Sequence, residues 1–420
     1  MIRKTKALGR SVLVRNVRLR MAVRRLWAWG LYLRYRWHAR GGVDDRLIVF
    51  ESFVGRSYAG SPRALYESML DDPRFADYRF AWAFRDPERA TKYDALQDPR
   101  TSIVAMRSTG YYRAFGNARV WISNSILAPE LVPREQLYVQ TWHGTGIKRI
   151  GYDVAATAQM AMSGKAELDD RYRIEAKKID LFLSPAPFGT TVFASAFGFP
   201  APGPGNPLVE TGNPRNDALV AATPAQVATA RARLEIPDGA CAVLYAPTFR
   251  DDQYDPRTGY VRGQPFDLET LAAALAPSHV ILLRSHYLVS ESTDLRRYGG
   301  SVRDVSAVDE VNDLLLASDV LVTDYSSVCF DFALLDRPMI FYVYDLDRYG
   351  NDLRGFYFPV EDLPGPLVGT QDELVAALSD PRLSARWARR RKEVRDLMCP
   401  QDDGLATSRT LDLILARLSS

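Results

Sequence analysis

Short runs of Val, Ile, Leu, Phe and Trp recur along the chain, separated by longer stretches of mixed polarity. RLIVFESF (46–53), YRFAWAF (78–84), SIVAM (102–106), ARVWIS (118–123) and LYVQTW (137–142) form a first series. DLFLS (180–184), AVLYAP (242–247), HVILLR (279–284), DVLVTD (319–324) and PMIFYV (338–343) continue it. These runs do not alternate strictly between apolar and polar, which predicts strands buried on both faces, as in parallel sheets covered by helices. The stretches between them read as helical, so the order is βαβα throughout and the fold class is α/β.

The pattern breaks once. FPAPGPGNP (199–207) is a loop, TGNPRND (211–217) follows the end of a strand, and ATPAQVATARARLEIP (222–237) reads as a helix before a second βα series opens at Ala242. This predicts an N-terminal domain over 41–225 and a C-terminal domain over 226–420, with an arm over 1–40. No repeat of fixed period and no low-complexity tract is present.

A chain of 420 residues is long enough for two such cores. With 47% hydrophobic and 25% charged residues, it is neither a disordered nor a fibrous chain. Cys241, Cys329 and Cys399 lie too far apart for a CxxC metal knuckle and suggest a reducing, cytosolic compartment.

Charge changes the picture more. Residues 1–40 carry 12 Lys/Arg and no acid, whereas the remainder is acidic by 9 charges. The longest uncharged apolar run of the arm, 26–33, is far shorter than the ~20 residues that span a bilayer. Arginines interrupt every candidate signal-peptide core. Basic residues instead interleave with Leu and Val, and Trp27, Trp29, Tyr32, Tyr35 and Trp37 crowd the end. A basic, Trp-rich helical arm suits the headgroup region of an anionic membrane. Nucleic acid binding and packing on the body are the alternatives, and we read the arm as membrane-facing, with no nucleic-acid partner.

Two of the four histidines stand at predicted strand ends, where open α/β sheets hold ligands. His143 lies in QTWHGTGIKRIG, flanked by Gly144 and Gly146, and His286 lies in LLRSHY. His38 and His279 read as structural. In DVLVTDYSSVCFDF, Ser326 or Ser327 is expected to cap a helix whose N–H groups form a phosphate site. Asp331, one turn deeper, is expected to bind a hydroxyl. YAPTFRDD offers Thr248 and Arg250, and GNPRND offers Arg215. No GxxxxGK[ST] sequence exists, which excludes a P-loop NTPase. The acidic pair Asp345 and Asp347 could suggest a metal-dependent sugar transferase, but such spacing is common by chance.

Together, QTWHGTGIKRIG, TGNPRND, LYAPTFRDD, LLRSHY, TDYSSVCFDF, RPMIFYVYDLDRY and RGFYF resemble the CDP-glycerol glycerophosphotransferase family of teichoic acid primases and polymerases. They stand in the family's order over 137–358. Gly146 replaces a proline usual after WHGT, and 40–136 matches only in general character. The resemblance implies two Rossmann-like domains facing a central cleft, the GT-B arrangement, on the cytoplasmic face of the membrane. It implies CDP-glycerol or another CDP-alditol as donor, a polyprenyl-diphosphate-linked acceptor, and no obligatory metal or cofactor. By the same motifs, Trp142, His143, Gly144, Thr145 and Gly146 would contact the donor. So would Arg215, Pro247, Thr248, Arg284, Ser285, His286, Ser326, Ser327 and Asp331. His143 is the expected general base. His286 and Arg284 would stabilise charge on the pyrophosphate and the leaving CMP. A GT-B glycosyltransferase using a nucleotide sugar is the alternative.

Overall fold

The structure is a computed structural model that describes residues 17–155, 164–203, 205–248, 254–255, 259–260, 266–284, 295–350 and 355–419. Fifteen strands lie within these residues. The first seven are β1 (Asp44–Glu51), β2 (Arg79–Phe84), β3 (Thr101–Ala105), β4 (Ala118–Ser123), β5 (Leu137–Gln140), β6 (Leu181–Ser184) and β7 (Leu208–Glu210). They form one parallel sheet in the order β3-β2-β1-β4-β5-β6-β7. The second series opens with β8 (Cys241–Tyr245), followed by a small hairpin of β9 (Tyr254–Asp255) and β10 (Gly259–Tyr260). It continues with β11 (His279–Leu283), β12 (Val302–Asp304), β13 (Val320–Thr323), β14 (Met339–Tyr342) and β15 (Leu367–Val368). Its parallel sheet has the order β12-β11-β8-β13-β14-β15.

Each sheet is apolar on both faces, as the unalternated runs predict. In β1, Ile48 and Phe50 face one cluster with Leu65, Tyr66 and Trp82, while Val49 faces another with Trp121 and Tyr138. In β8, Leu244 packs to one side and Val243 to the other. Each sheet also has a point where its strand order reverses, between β1 and β4 and between β8 and β13. Crevices at the carboxyl ends of such strands are the ligand sites of this architecture.

Two expectations need correction. LYVQTW does not stay extended to Trp142: β5 ends at Gln140, and Trp142 takes φ 49°. The Gln140 side chain accepts the Trp142 amide at 2.9 Å and turns the chain there. The tail of the chain returns to the first sheet. The last helix, Ala406–Ser419, buries Leu411 and Ile414 in the cluster of the first sheet, and Asp412 pairs with Arg74 at 2.6 Å. The serine turn also differs, as described below.

The arm is partly in view. Residues 17–38 form a helix, Val17–His38, which packs on the helix Thr109–Asn117. Tyr35 is fully buried there, and its hydroxyl donates to the Val132 carbonyl at 3.0 Å. The opposite face carries Leu26, Trp29, Leu33 and Trp37, all exposed, at spacings of one helical stripe. Residues 1–16 lie outside the described residues. Among the described residues no helix is long and apolar enough to cross a membrane.

Candidate active site

His143 follows β5 by three residues and stands beside the reversal point of the first sheet. Asn124, one residue past β4, holds it there: the Asn124 carbonyl lies 2.6 Å from His143 Nδ1. A carbonyl can only accept, so Nδ1 carries the proton, and in the neutral ring Nε2 keeps its lone pair. The Asn124 side chain binds the Phe53 amide at 2.7 Å, joining the ends of β1 and β4. Trp142 stacks on the imidazole at 4.5 Å, and Phe53 flanks it at 6.0 Å. The residue as a whole remains solvent-accessible. Desolvation by the surrounding walls pushes the His143 pKa down to about 4, with Arg215 and Lys148 adding repulsion. The direction matters for the chemistry: at neutral pH the imidazole is uncharged and able to accept a proton.

Gly144 brings this loop against the second half. Its φ is 135°, and a Cβ built there would stand 2.5 Å from Ser327 Oγ and 3.7 Å from Arg215 Nη2. Only glycine fits so close an approach. Thr145 is buried behind it, and Gly146 lies against the Lys148 carbonyl.

Arg215 enters from TGNPRND and is buried. Its Nη2 donates to both Asp331 oxygens at 3.0 Å, and Asn216 donates to Asp331 Oδ1 at 2.9 Å. Asp331 is therefore engaged in holding the Arg215 cation. Asn213 and Asn216 both bind Asp402, whose burial raises its pKa to about 6. Asp402 and Asn312, which donates to the Arg215 carbonyl at 2.6 Å, complete a polar network joining the two halves.

The serine turn is not a helix cap of the expected kind. The helix Val328–Ala333 has only six residues, and Ser327, at its cap position, is in the right-handed helical region with no side-chain cap bond. The Val328 amide instead reaches Ser326 Oγ at 3.4 Å. Ser327 lies against Gly144, so its contribution is to the meeting of the two loops.

At the reversal point of the second sheet, Asp324 Oδ1 accepts the amides of Thr248 at 2.8 Å and Tyr325 at 2.6 Å. This ties the loop carrying Pro247 and Thr248 to the serine turn. Arg284, at the end of β11, donates to the Val308 carbonyl at 3.1 Å, near Asp309 and Glu310. Those two acids bridge the halves: Glu310 accepts the Gly60 amide at 2.8 Å, and Asp309 pairs with Arg89 at 2.6 Å. Ser285, His286 and Arg250 lie outside the described residues.

Sequence reasoning singled out neither Asn124 nor Asp402, Asp309 and Glu310. Asn124 had a usable signal, its position one residue beyond a strand end, but an amide at such a place is common. Asp345 accepts from the Tyr325 hydroxyl at 3.2 Å. Among the described residues no three His, Cys, Asp or Glu side chains converge as a metal-binding group.

Residues 31–416 match the sequence profile of the family described as CDP-Glycerol:Poly(glycerophosphate) glycerophosphotransferase. The chain is 37% identical over 378 residues to a teichoic acid glycerol-phosphate transferase of Staphylococcus aureus, covering 88% of this chain and 93% of that one. It is 35% identical over 377 residues to a teichoic acid poly(glycerol phosphate) polymerase of Staphylococcus epidermidis, covering 89% of this chain. It spans about half of that polymerase, 51% of its length. Among solved structures, the wall teichoic acid polymerase TagF matches with a TM-score of 0.82 and 31% identity, over 100% of this chain and 98% of that one. A TagF variant soaked with CDPG matches with a TM-score of 0.83 and 32% identity, over 96% of this chain and 98% of that one.

Proposed function

Because the chain belongs to the CDP-glycerol:poly(glycerophosphate) glycerophosphotransferase family, we propose that it transfers glycerol phosphate from CDP-glycerol to a hydroxyl of a lipid-linked acceptor, releasing CMP. The observation that carries this reading is the tautomer of His143. Its Nδ1–H is committed to the Asn124 carbonyl, so Nε2 is the free base at neutral pH.

The acceptor hydroxyl would attack the β-phosphorus of the donor and give its proton to His143 Nε2. The new bond joins the acceptor oxygen to the β-phosphorus, and the bond from that phosphorus to the oxygen bridging it to CMP breaks. Arg215, Arg284 and the Thr248 and Ser326–Ser327 loops would neutralise charge on the pyrophosphate and the departing CMP. Buried guanidinium groups suit this role, because a cation held in a low-dielectric site interacts strongly with phosphate oxygens. Trp142, Thr145 and Gly146 would shape the same wall. We read the two sheets as the halves of a GT-B enzyme, the first on the acceptor side and the second on the donor side.

The test is a comparison of donors. CDP-glycerol with a lipid-linked acceptor should release CMP and add one glycerol phosphate to the acceptor by mass. A UDP-sugar tried in its place should release no nucleotide. Nucleotide release from the UDP-sugar alone would overturn the reading.

We also propose that the arm attaches the protein to the inner, anionic face of the membrane. What supports this is the exposed stripe of Leu26, Trp29, Leu33 and Trp37 on a helix whose other face is packed, with Arg36 on that helix and Arg40 in the turn that follows it. Each basic residue near an anionic surface contributes about 1 kcal/mol, screened by salt. Binding to vesicles containing phosphatidylglycerol should fall as salt rises. Replacing Trp29, Leu33 and Trp37 together by serine should weaken it strongly without loss of fold, since all three are exposed. Full binding by this triple variant would exclude the stripe as the docking face.

A further inference from the structure

A cavity of about 600 Å³ opens at the carboxyl edge of the first sheet. Val54 and the loop 126–129 form part of its wall, and Ile174 of the helix Lys165–Ala176 closes it. Arg85, Arg107 and Arg171 stand on its rim. All three guanidinium side chains are exposed. Arg85 spends one N–H on the Val54 carbonyl at 2.9 Å, and Arg107 Nε lies 3.7 Å from the buried Glu130 carboxylate. The one carboxylate in the wall, Glu175, accepts through Oε1, while its Oε2 has no hydrogen bond among the described residues. It accepts from the Tyr138 hydroxyl at 2.6 Å and the Leu127 amide at 3.0 Å, and Lys178 lies 3.3 Å away. The cavity is thus apolar inside and positive at its mouth.

Its position narrows what it can hold. Val54 adjoins Phe53, and Ile126 lies two residues from Asn124, so the cavity begins next to the two residues that flank and fix His143. At its other side Arg107 lies 5.0 Å over the ring of Trp27, on the helix with the exposed apolar stripe. It therefore lies between the face read as membrane-docking and the general base. Phe53, Val54 and Arg107 all have positive φ, at 46°, 58° and 59°. Strain of this kind in side-chain-bearing residues persists where the surroundings hold it, and it collects at ligand sites.

We propose that this cavity binds the diphosphate-bearing head of the lipid-linked acceptor, with the arginines on the diphosphate. The inference rests on the transferase reading above. An acceptor anchored in the bilayer would run from the membrane face to His143, and the diphosphate that the family resemblance implies for it is a group on that path that needs cations. Bidentate guanidinium contacts suit phosphate oxygens, and a cavity of this size accommodates a sugar-sized head.

The test uses the full chain with CDP-glycerol and a short-chain prenyl-diphosphate-linked acceptor, beside the same acceptor built without its diphosphate. Arg171→Gln and Arg85→Gln, singly and together, should fold normally, because both side chains are exposed. The double variant should raise the KM for the diphosphate acceptor about 10–100-fold, the loss expected for charged hydrogen bonds. Its KM for CDP-glycerol and its KM for the diphosphate-free acceptor should stay as in the wild type. Arg→Lys at both positions should restore part of the loss. An unchanged acceptor KM, or an equal rise with the diphosphate-free acceptor, would overturn the assignment while leaving the transferase reading intact. A wild-type chain that releases no CMP from CDP-glycerol would instead defeat that reading, and the assignment with it.

Discussion

Replacing His143 by alanine is expected to lower kcat about 10²–10⁴-fold, the usual cost of losing a general base. The fold should survive, because the residue is solvent-accessible and its one polar bond is to the Asn124 carbonyl. Release of CMP, followed beside circular dichroism, checks both halves of this statement. Near-normal turnover in the variant would remove His143 from the mechanism. The pH dependence sharpens the test. An ordinary histidine base would lose activity below pH about 6.5. With the His143 pKa pushed down to about 4, kcat/KM should stay level through pH 6, and its acid limb should lie below the ordinary histidine range. Stability should move in the same window. Below pH about 6.5 the unfolded chain takes up a proton that the folded imidazole refuses until about 4, so this contribution to stability is lost as pH falls between them. The alanine variant should lack that component.

Asp331→Asn should destabilise the protein by about 3–5 kcal/mol, measured by urea unfolding, because it leaves the buried Arg215 cation with its closest counter-charge removed. Asp402 and Glu310 lie near enough to raise the Arg215 pKa, but Asp331 is the largest favourable influence. The double variant Arg215→Met with Asp331→Leu should lose less than the sum of the two single changes, since no charge remains buried and unpaired. It should nevertheless bind CDP-glycerol poorly, since Arg215 is read as a phosphate contact. A loss below about 1 kcal/mol in Asp331→Asn would show that the pair does not hold the network together. Normal donor affinity in the double variant would remove Arg215 from the site.

Local patterning made much of this protein legible. The apolar runs identified ten of the strands to within a residue or two, because a strand buried on both faces must be apolar at successive positions. Strand ends followed from the same runs, so His143, Thr248, Arg284 and the serine turn could be placed at the carboxyl ends of strands. The short pieces β12 and β15 could not, since two or three residues carry no period to read. Nor could the end of β5, where a side-chain to backbone bond outweighs the β-propensity of Thr141 and Trp142.

The amino-acid sequence by itself thus determined the fold class, the strand ends at which the candidate residues lie, and the split between a basic arm and an acidic body. These depend on hydrophobic period, turn residues and charge, which act over a few neighbouring positions. Only the tertiary structure decided the partners. Arg215 and Asp331 lie 116 residues apart, and Asn213 and Asp402 lie 189 apart. The helix Ala406–Ser419 returns to the first sheet because Leu411 and Ile414 bury apolar surface there. The proton on His143 was assigned by a carbonyl 19 residues away. Burial and hydrogen-bond geometry are properties of the packed chain, and they pair Asp331 with the buried Arg215 cation.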